Sequence, residues 1–97
     1  MNAASPRDDA AREDDGLDPR SRAILDFERD WWKQPGPKER AIREGLGISP
    51  TRYHQLLNEI IDRPEALEFD PMLVRRLRRL REARRRKRFA RRLGLEL

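Results

Sequence analysis

A chain of 97 residues, 36% hydrophobic and 42% charged, with two Trp, one Tyr and three Phe, has material for one small helical bundle and little for an enclosed substrate cavity. It has no cysteine, which excludes disulfides and thiolate metal sites, and the lone His54 leaves no conventional zinc or iron centre, so neither metal nor cofactor is expected. The formal net charge of +5 is unevenly spread: residues 1–18 hold two Arg against six Asp and Glu, residues 19–70 nine basic against ten acidic, and residues 71–97 twelve basic against two acidic.

Residues 1–17 hold almost nothing to bury and read as a disordered acidic arm, either a solubilising tail or a segment that folds back on the basic C-terminus and competes with nucleic acid. No apolar leader and no stretch of 18 apolar residues occurs, so a soluble, cytoplasmic, nucleoid-associated protein with no membrane partner is expected. Asp18 followed by Pro19 is a cap with proline at the first helical position. Ile24, Phe27 and Trp31, with Leu25 and Trp32 on the next row, then follow helical spacing. The paired tryptophans suit core plus rim better than a platform for single-stranded bases.

Pro35, Gly36 and Pro37 end that helix, and Pro37 opens a second one with Ala41, Ile42 and Leu46 inward. Gly47 stops it, Ile48 fills the corner, Ser49 caps, and Pro50 starts a third helix with Tyr53, Leu56, Leu57, Ile60 and Ile61 inward. An irregular link with one turn of helix at Pro64 to Leu67 leads to Asp70 and Pro71, which repeat the cap-plus-proline device. The fourth long helix is expected to run to about Leu93, with Leu73, Val74, Leu77 and Leu80 inward and Gly94 as terminator. Like charges four apart, such as Arg84 and Arg88, each cost about 0.2–0.5 kcal/mol and favour fraying of its second half until phosphates neutralise it. The expected organisation is all-α: the acidic arm, a three-helix helix-turn-helix domain over residues 18–83, and a basic extension over 84–97.

With Gly47 as the corner glycine, Ile42, Leu46, Ile48, Tyr53 and Leu56 occupy the apolar positions of a helix-turn-helix, although Arg43 stands where a small residue is usual. The outward face of the third helix then carries Thr51, Arg52, His54, Gln55 and Asn58, residue types that bond base edges in the major groove. Ser49 at the helix start and Lys38, Arg40 and Arg43 on the second helix face the phosphate backbone in that pose. Arg75, Arg76, Arg78, Arg79, Arg84, Arg85, Arg86, Lys87 and Arg88, with Arg81, Arg91 and Arg92, cover every side of the last helix, which suits phosphate neutralisation and not base readout. If six to ten phosphates are engaged, affinity falls about 10³- to 10⁵-fold between 50 and 200 mM salt.

The Phe27, Glu28, Trp31, Trp32 cluster, the helix bearing Ser49, Thr51, Arg52, Tyr53, Gln55, Leu57 and Asn58, and the Pro64, Glu65, Ala66, Leu67 link with Asp70 and Pro71 resemble a family of short actinobacterial proteins of unknown function with a helix-turn-helix-like core. The likeness runs from Ile24 to Arg81; where this chain has His54, that family tends to carry a second tyrosine. The resemblance implies a DNA-binding regulator with no established activity.

These features lead to the expectation of a protein that binds double-stranded DNA, as a transcriptional regulator or nucleoid-associated protein. One recognition helix reads only a few base pairs, so specificity calls for a homodimer or a partner such as RNA polymerase. The rival expectation is an adaptor of the transcription machinery, or an RNA-binding protein, that uses the same core and Arg-rich tail. It is favoured by a third helix with a single Arg that ends in Glu59 and Asp62. No nucleophile, base and orienting group come together in any segment, so no enzyme is expected.

Overall fold

A computed structural model describes residues 16–94 and is all-helical: among these residues it has five α-helices, one 3-10 turn and no strand. Helix α1 spans Pro19–Asp30, α2 Lys38–Leu46, α3 Pro50–Ile60, α4 Pro64–Phe69 and α5 Pro71–Arg92. Each start has a local chemical cause. The Asp18 carboxylate accepts from the Ser21 N–H at 3.0 Å, the Ser49 hydroxyl from the Arg52 N–H at 3.1 Å, and the Asp70 carboxylate from the Leu73 N–H at 3.3 Å, each with proline opening the following turn. Pro37 lies one residue outside α2, with extended backbone at φ −72 and ψ 150.

At the corner between α2 and α3, Gly47 takes the left-handed conformation at φ 70, and its N–H donates to the Arg43 carbonyl at 3.0 Å. Ile48 packs on the core beneath it. Gly94, at φ 79, follows the end of α5.

The core joins Leu17, Ile24, Leu25, Ile42, Tyr53, Leu57, Ile60, Ile61, Ala66, Leu73, Val74 and Leu77, which draws on every α-helix. Helix α1 packs on α3 and α4, α2 on α3, and α4 on α5. Four features depart from the expectations. The arm proposed for residues 1–17 lies outside the described residues up to residue 15, whereas Leu17 is 3% exposed and belongs to the core. Helix α1 ends at Asp30, and Trp31–Lys33 form a 3-10 turn ahead of Pro35, so Trp31 is half-buried and Trp32 is 64% exposed. Helix α4 is a six-residue helix that runs past Leu67 to Phe69.

The fourth departure concerns α5. Leu80 is 45% exposed because the inward rows, spaced by four, are Leu73, Leu77, Arg81 and Val74, Arg78. Helix α5 continues unbroken through residues 83 and 84 to Arg92; residues 95–97 lie outside the described part.

Asp18 ties the two ends of the α1–α4 layer together, since its carboxylate also accepts from Arg63 at 2.9 Å. Desolvation raises the Asp18 pKa, but the Arg63 guanidinium and the Ser21 donors outweigh it and hold the group at about 2, below its ordinary 3.8. A depressed carboxylate contributes stability that is fully present above the unfolded value and is lost as pH falls through the folded one. The window is therefore about pH 4 down to about pH 2, with the size reduced by solvent screening at this half-exposed pair. Thermal melts followed by circular dichroism across that window are expected to fall less steeply for Asp18→Asn than for the natural chain.

Candidate nucleic-acid interface

The outer side of α3 is solvent-exposed at Thr51, Arg52, His54, Gln55 and Asn58. The apolar residues Tyr53, Leu57 and Ile60 occupy the opposite side and are buried, which turns the polar row outward. Within the row, Arg52 Nη1 donates to Gln55 Oε1 at 3.4 Å, and the His54 ring rests edge-on to Tyr53 at 5.2 Å between centroids. Ser49 is exposed, but its hydroxyl oxygen is engaged as the α3 cap.

On α2, Arg40 and Arg43 are exposed and form no ion pair among the described residues. Lys38 is placed differently from the expectation. Its ammonium lies 2.8 Å from Glu28 Oε1, over the rings of Trp31 at 5.3 Å and Tyr53 at 5.5 Å, and its side chain is 23% exposed. Glu28 also accepts from the Tyr53 hydroxyl. The three side chains form a half-buried cluster linking α1, α2 and α3, so the Lys38 charge is engaged within the fold.

On α5 the cations divide into two groups. Arg78 Nε donates to the Ile61 carbonyl, while Arg81 Nη1 donates to the Asn58 carbonyl at 3.2 Å and its guanidinium pairs with Asp62. Helix α3 has no basic residue in its last turn, which carries Glu59 and is followed by Asp62 just past its end, so α5 supplies the positive charge that its C-terminal carbonyls call for. The Arg81 hydrogen bond holds the Asp62 pKa below the ordinary carboxylate range, against a smaller upward push from desolvation. Arg78, expected to face phosphate, is thus half-buried and serves as a clasp.

Arg75, Arg76, Arg79, Arg84, Arg86, Lys87 and Arg88, together with Arg91 and Arg92, are exposed and make no ion pair among the described residues. Arg85 has a 3.8 Å contact with Glu82, both well exposed, which is worth little.

Between α3 and α5 lies a groove of about 450 Å³. His54 and Asn58 line it from α3, Arg81 and Arg84 from α5, and Leu57, Ile61 and Leu77 give it an apolar floor, with Glu28 and Lys38 also on its border. Two residue groups that the sequence treats as separate, the polar row and the cation run, therefore share one surface. The Glu28–Lys38–Tyr53 cluster and the Arg78–Arg81 clasp were missed by sequence reasoning; the one signal for the clasp was a helix leading into Glu59 and Asp62 with no cation in its last turn.

Among the described residues no three His, Cys, Asp or Glu side chains gather to hold a metal ion, and no helix is long and apolar enough to cross a membrane. Fold and surface define a small all-helical protein whose final helix is a cationic rod. Residues 16–89 match the model of DUF3263, a protein family of unknown function, and the chain belongs to that family. The likeness seen from Ile24 to Arg81 falls inside that span. No curated protein matches the chain, and no solved structure does.

Proposed function

We propose that this protein binds double-stranded DNA as a helix-turn-helix module and acts as a transcriptional regulator or nucleoid-associated protein without enzymatic activity. The observation that carries this reading is the shared groove: His54 and Asn58 of the exposed α3 row stand across it from Arg81 and Arg84, and Arg84 is one of the exposed α5 cations with no ion pair among the described residues. Base edges are read by donors and acceptors on a helix of groove width, while phosphates are neutralised by flanking cations. Thr51, Arg52, His54, Gln55 and Asn58 supply the first; Arg40, Arg43 and the exposed cations of α5 supply the second. Lys38 and Arg78 are withdrawn from the phosphate set because their charges are used within the fold. A homodimer, or RNA polymerase as a neighbour on the promoter, would extend the few base pairs that one α3 can read.

The joint substitution Arg52→Ala with Gln55→Ala tests the reading. Selection of a preferred duplex followed by binding titration is expected to show specific affinity lowered at least about tenfold while binding to random duplex persists, since one good base contact is worth about 1–3 kcal/mol. A second reading, an adaptor that docks on a protein of the transcription machinery, is favoured by the exposure of Trp32 at 64% and Met72 at 81%. Under it the same double variant leaves DNA binding unchanged, and Trp32→Ala removes a captured partner.

A further inference from the structure

The groove between α3 and α5 has an unbalanced charge that its lining locates. Of the three cations that border it, Lys38 is matched by Glu28 at 2.8 Å and Arg81 is held by Asp62. Arg84 is exposed, has no ion pair among the described residues, and stands one helical turn beyond Arg81. Across from it, Asn58 offers an exposed side-chain amide, while its main-chain carbonyl already accepts from Arg81. The net requirement is one negative charge beside a neutral hydrogen-bond donor.

Size and floor narrow the chemistry. A volume of about 450 Å³ corresponds to about fifteen waters at ~30 Å³ each, more than a lone oxyanion fills. Leu57 and Leu77 on the floor suit the carbon face of a sugar, which a free inorganic ion lacks. We propose that this groove seats one backbone phosphodiester of the bound strand with its adjoining sugars, Arg84 pairing with the phosphate and Asn58, the last residue of the α3 row, donating to it in place of a base edge. This rests on the duplex-binding reading and makes it sharper: among the unpaired cations of α5, Arg84 has a fixed phosphate, while those farther along, such as Arg88, neutralise whichever phosphates pass by. The reason is the clasp: Arg81, one turn earlier, is bonded to the α3 end, so Arg84 projects from a part of α5 held at constant distance from Asn58.

The test uses the full chain and a selected duplex carrying a single uncharged methylphosphonate, moved phosphate by phosphate, against the natural protein, Arg84→Gln and Arg88→Gln. Arg84 and Arg88 have no partners among the described residues, so neither change threatens folding. One position is expected where the uncharged linkage weakens the natural protein about tenfold, as losing a charge-assisted hydrogen bond does. At that position Arg84→Gln should show less than about a twofold further loss, whereas Arg88→Gln keeps the full effect, the signature of a direct pair. An Arg84→Gln deficit spread evenly over all positions, as for Arg88→Gln, overturns the fixed site while leaving duplex binding intact. If the natural protein binds no duplex, the broader reading fails, and inorganic phosphate decides the rest. Phosphate-induced shifts of the Asn58 amide resonance that vanish in Arg84→Gln would make the groove a free-anion site and overturn the backbone as source. No shift would overturn the site altogether.

Discussion

Exchanging Arg84, Arg85, Arg86, Lys87 and Arg88 together for glutamine is expected to reduce affinity for a random duplex by at least about 10³-fold in 50 mM salt and to flatten the slope of log K against log salt by about 4 to 5. Each cation that neutralises one phosphate contributes about 0.9 to that slope through counterion release. The five residues are exposed, and only Arg85 has an ion partner among the described residues, a 3.8 Å contact with Glu82. Little native energy is therefore lost with them, and relief of like-charge pairs four apart offsets part of it. Filter binding or fluorescence anisotropy at four or five salt concentrations measures both quantities. An unchanged slope would remove this half of α5 from the interface.

Tyr53→Ala is expected to be the most damaging single change to the fold, costing about 3–5 kcal/mol, a large part of the stability of a domain this small. Tyr53 is 0% exposed and meets Phe27 edge-on at 5.5 Å, so truncation opens a cavity where α1 and α3 cross. Tyr53→Phe isolates the hydroxyl: the Glu28 carboxylate, 12% exposed, loses one donor yet keeps Lys38, for a cost of about 1–3 kcal/mol. Burial, and then the hydrogen bond to Glu28, push the Tyr53 pKa far above its ordinary 10.0. A raised pKa makes the proton part of the folded state, so its contribution is complete below the ordinary value and is lost as pH rises beyond it. Urea denaturation of the natural chain and Tyr53→Phe at neutral pH and above pH ~10 is expected to show the alkaline loss in the first and a smaller one in the second.

What was legible in the sequence was what a few neighbouring residues decide. Asp18 with Pro19, Ser49 with Pro50, and Asp70 with Pro71 announce helix starts because cap and proline act within one turn; Gly47 announces a corner because a left-handed residue there strains any side chain. The outward row from Thr51 to Asn58 follows from the apolar stripe opposite it. The polar side chains that act over long separations were not legible. Lys38 meets Glu28, and Arg78 and Arg81 meet the end of α3, only because helices cross there. Nothing local separates Arg78 and Arg81 from Arg79 and Arg84, and a leucine at position 80 is the obvious inward residue until two carbonyls and a carboxylate at the C-terminal end of α3 and just beyond it make arginine the better neighbour on the adjoining rows. Leu17 reads as part of the acidic arm for a similar reason, since one apolar residue beside a charged run carries no periodicity.

The two guanidiniums that grip the far end of α3 also bear on the thermodynamics of encounter. Under the proposed duplex binding, these bonds join the exposed α3 row to the cationic helix before any polymer arrives, so the entropy of aligning two separate surfaces would be lost during folding and not during complex formation. Severing Arg81 from Asp62 and Asn58 would then slacken attachment although neither Arg81 nor Asp62 need touch the polymer, and the deficit would be the same for every base sequence tried.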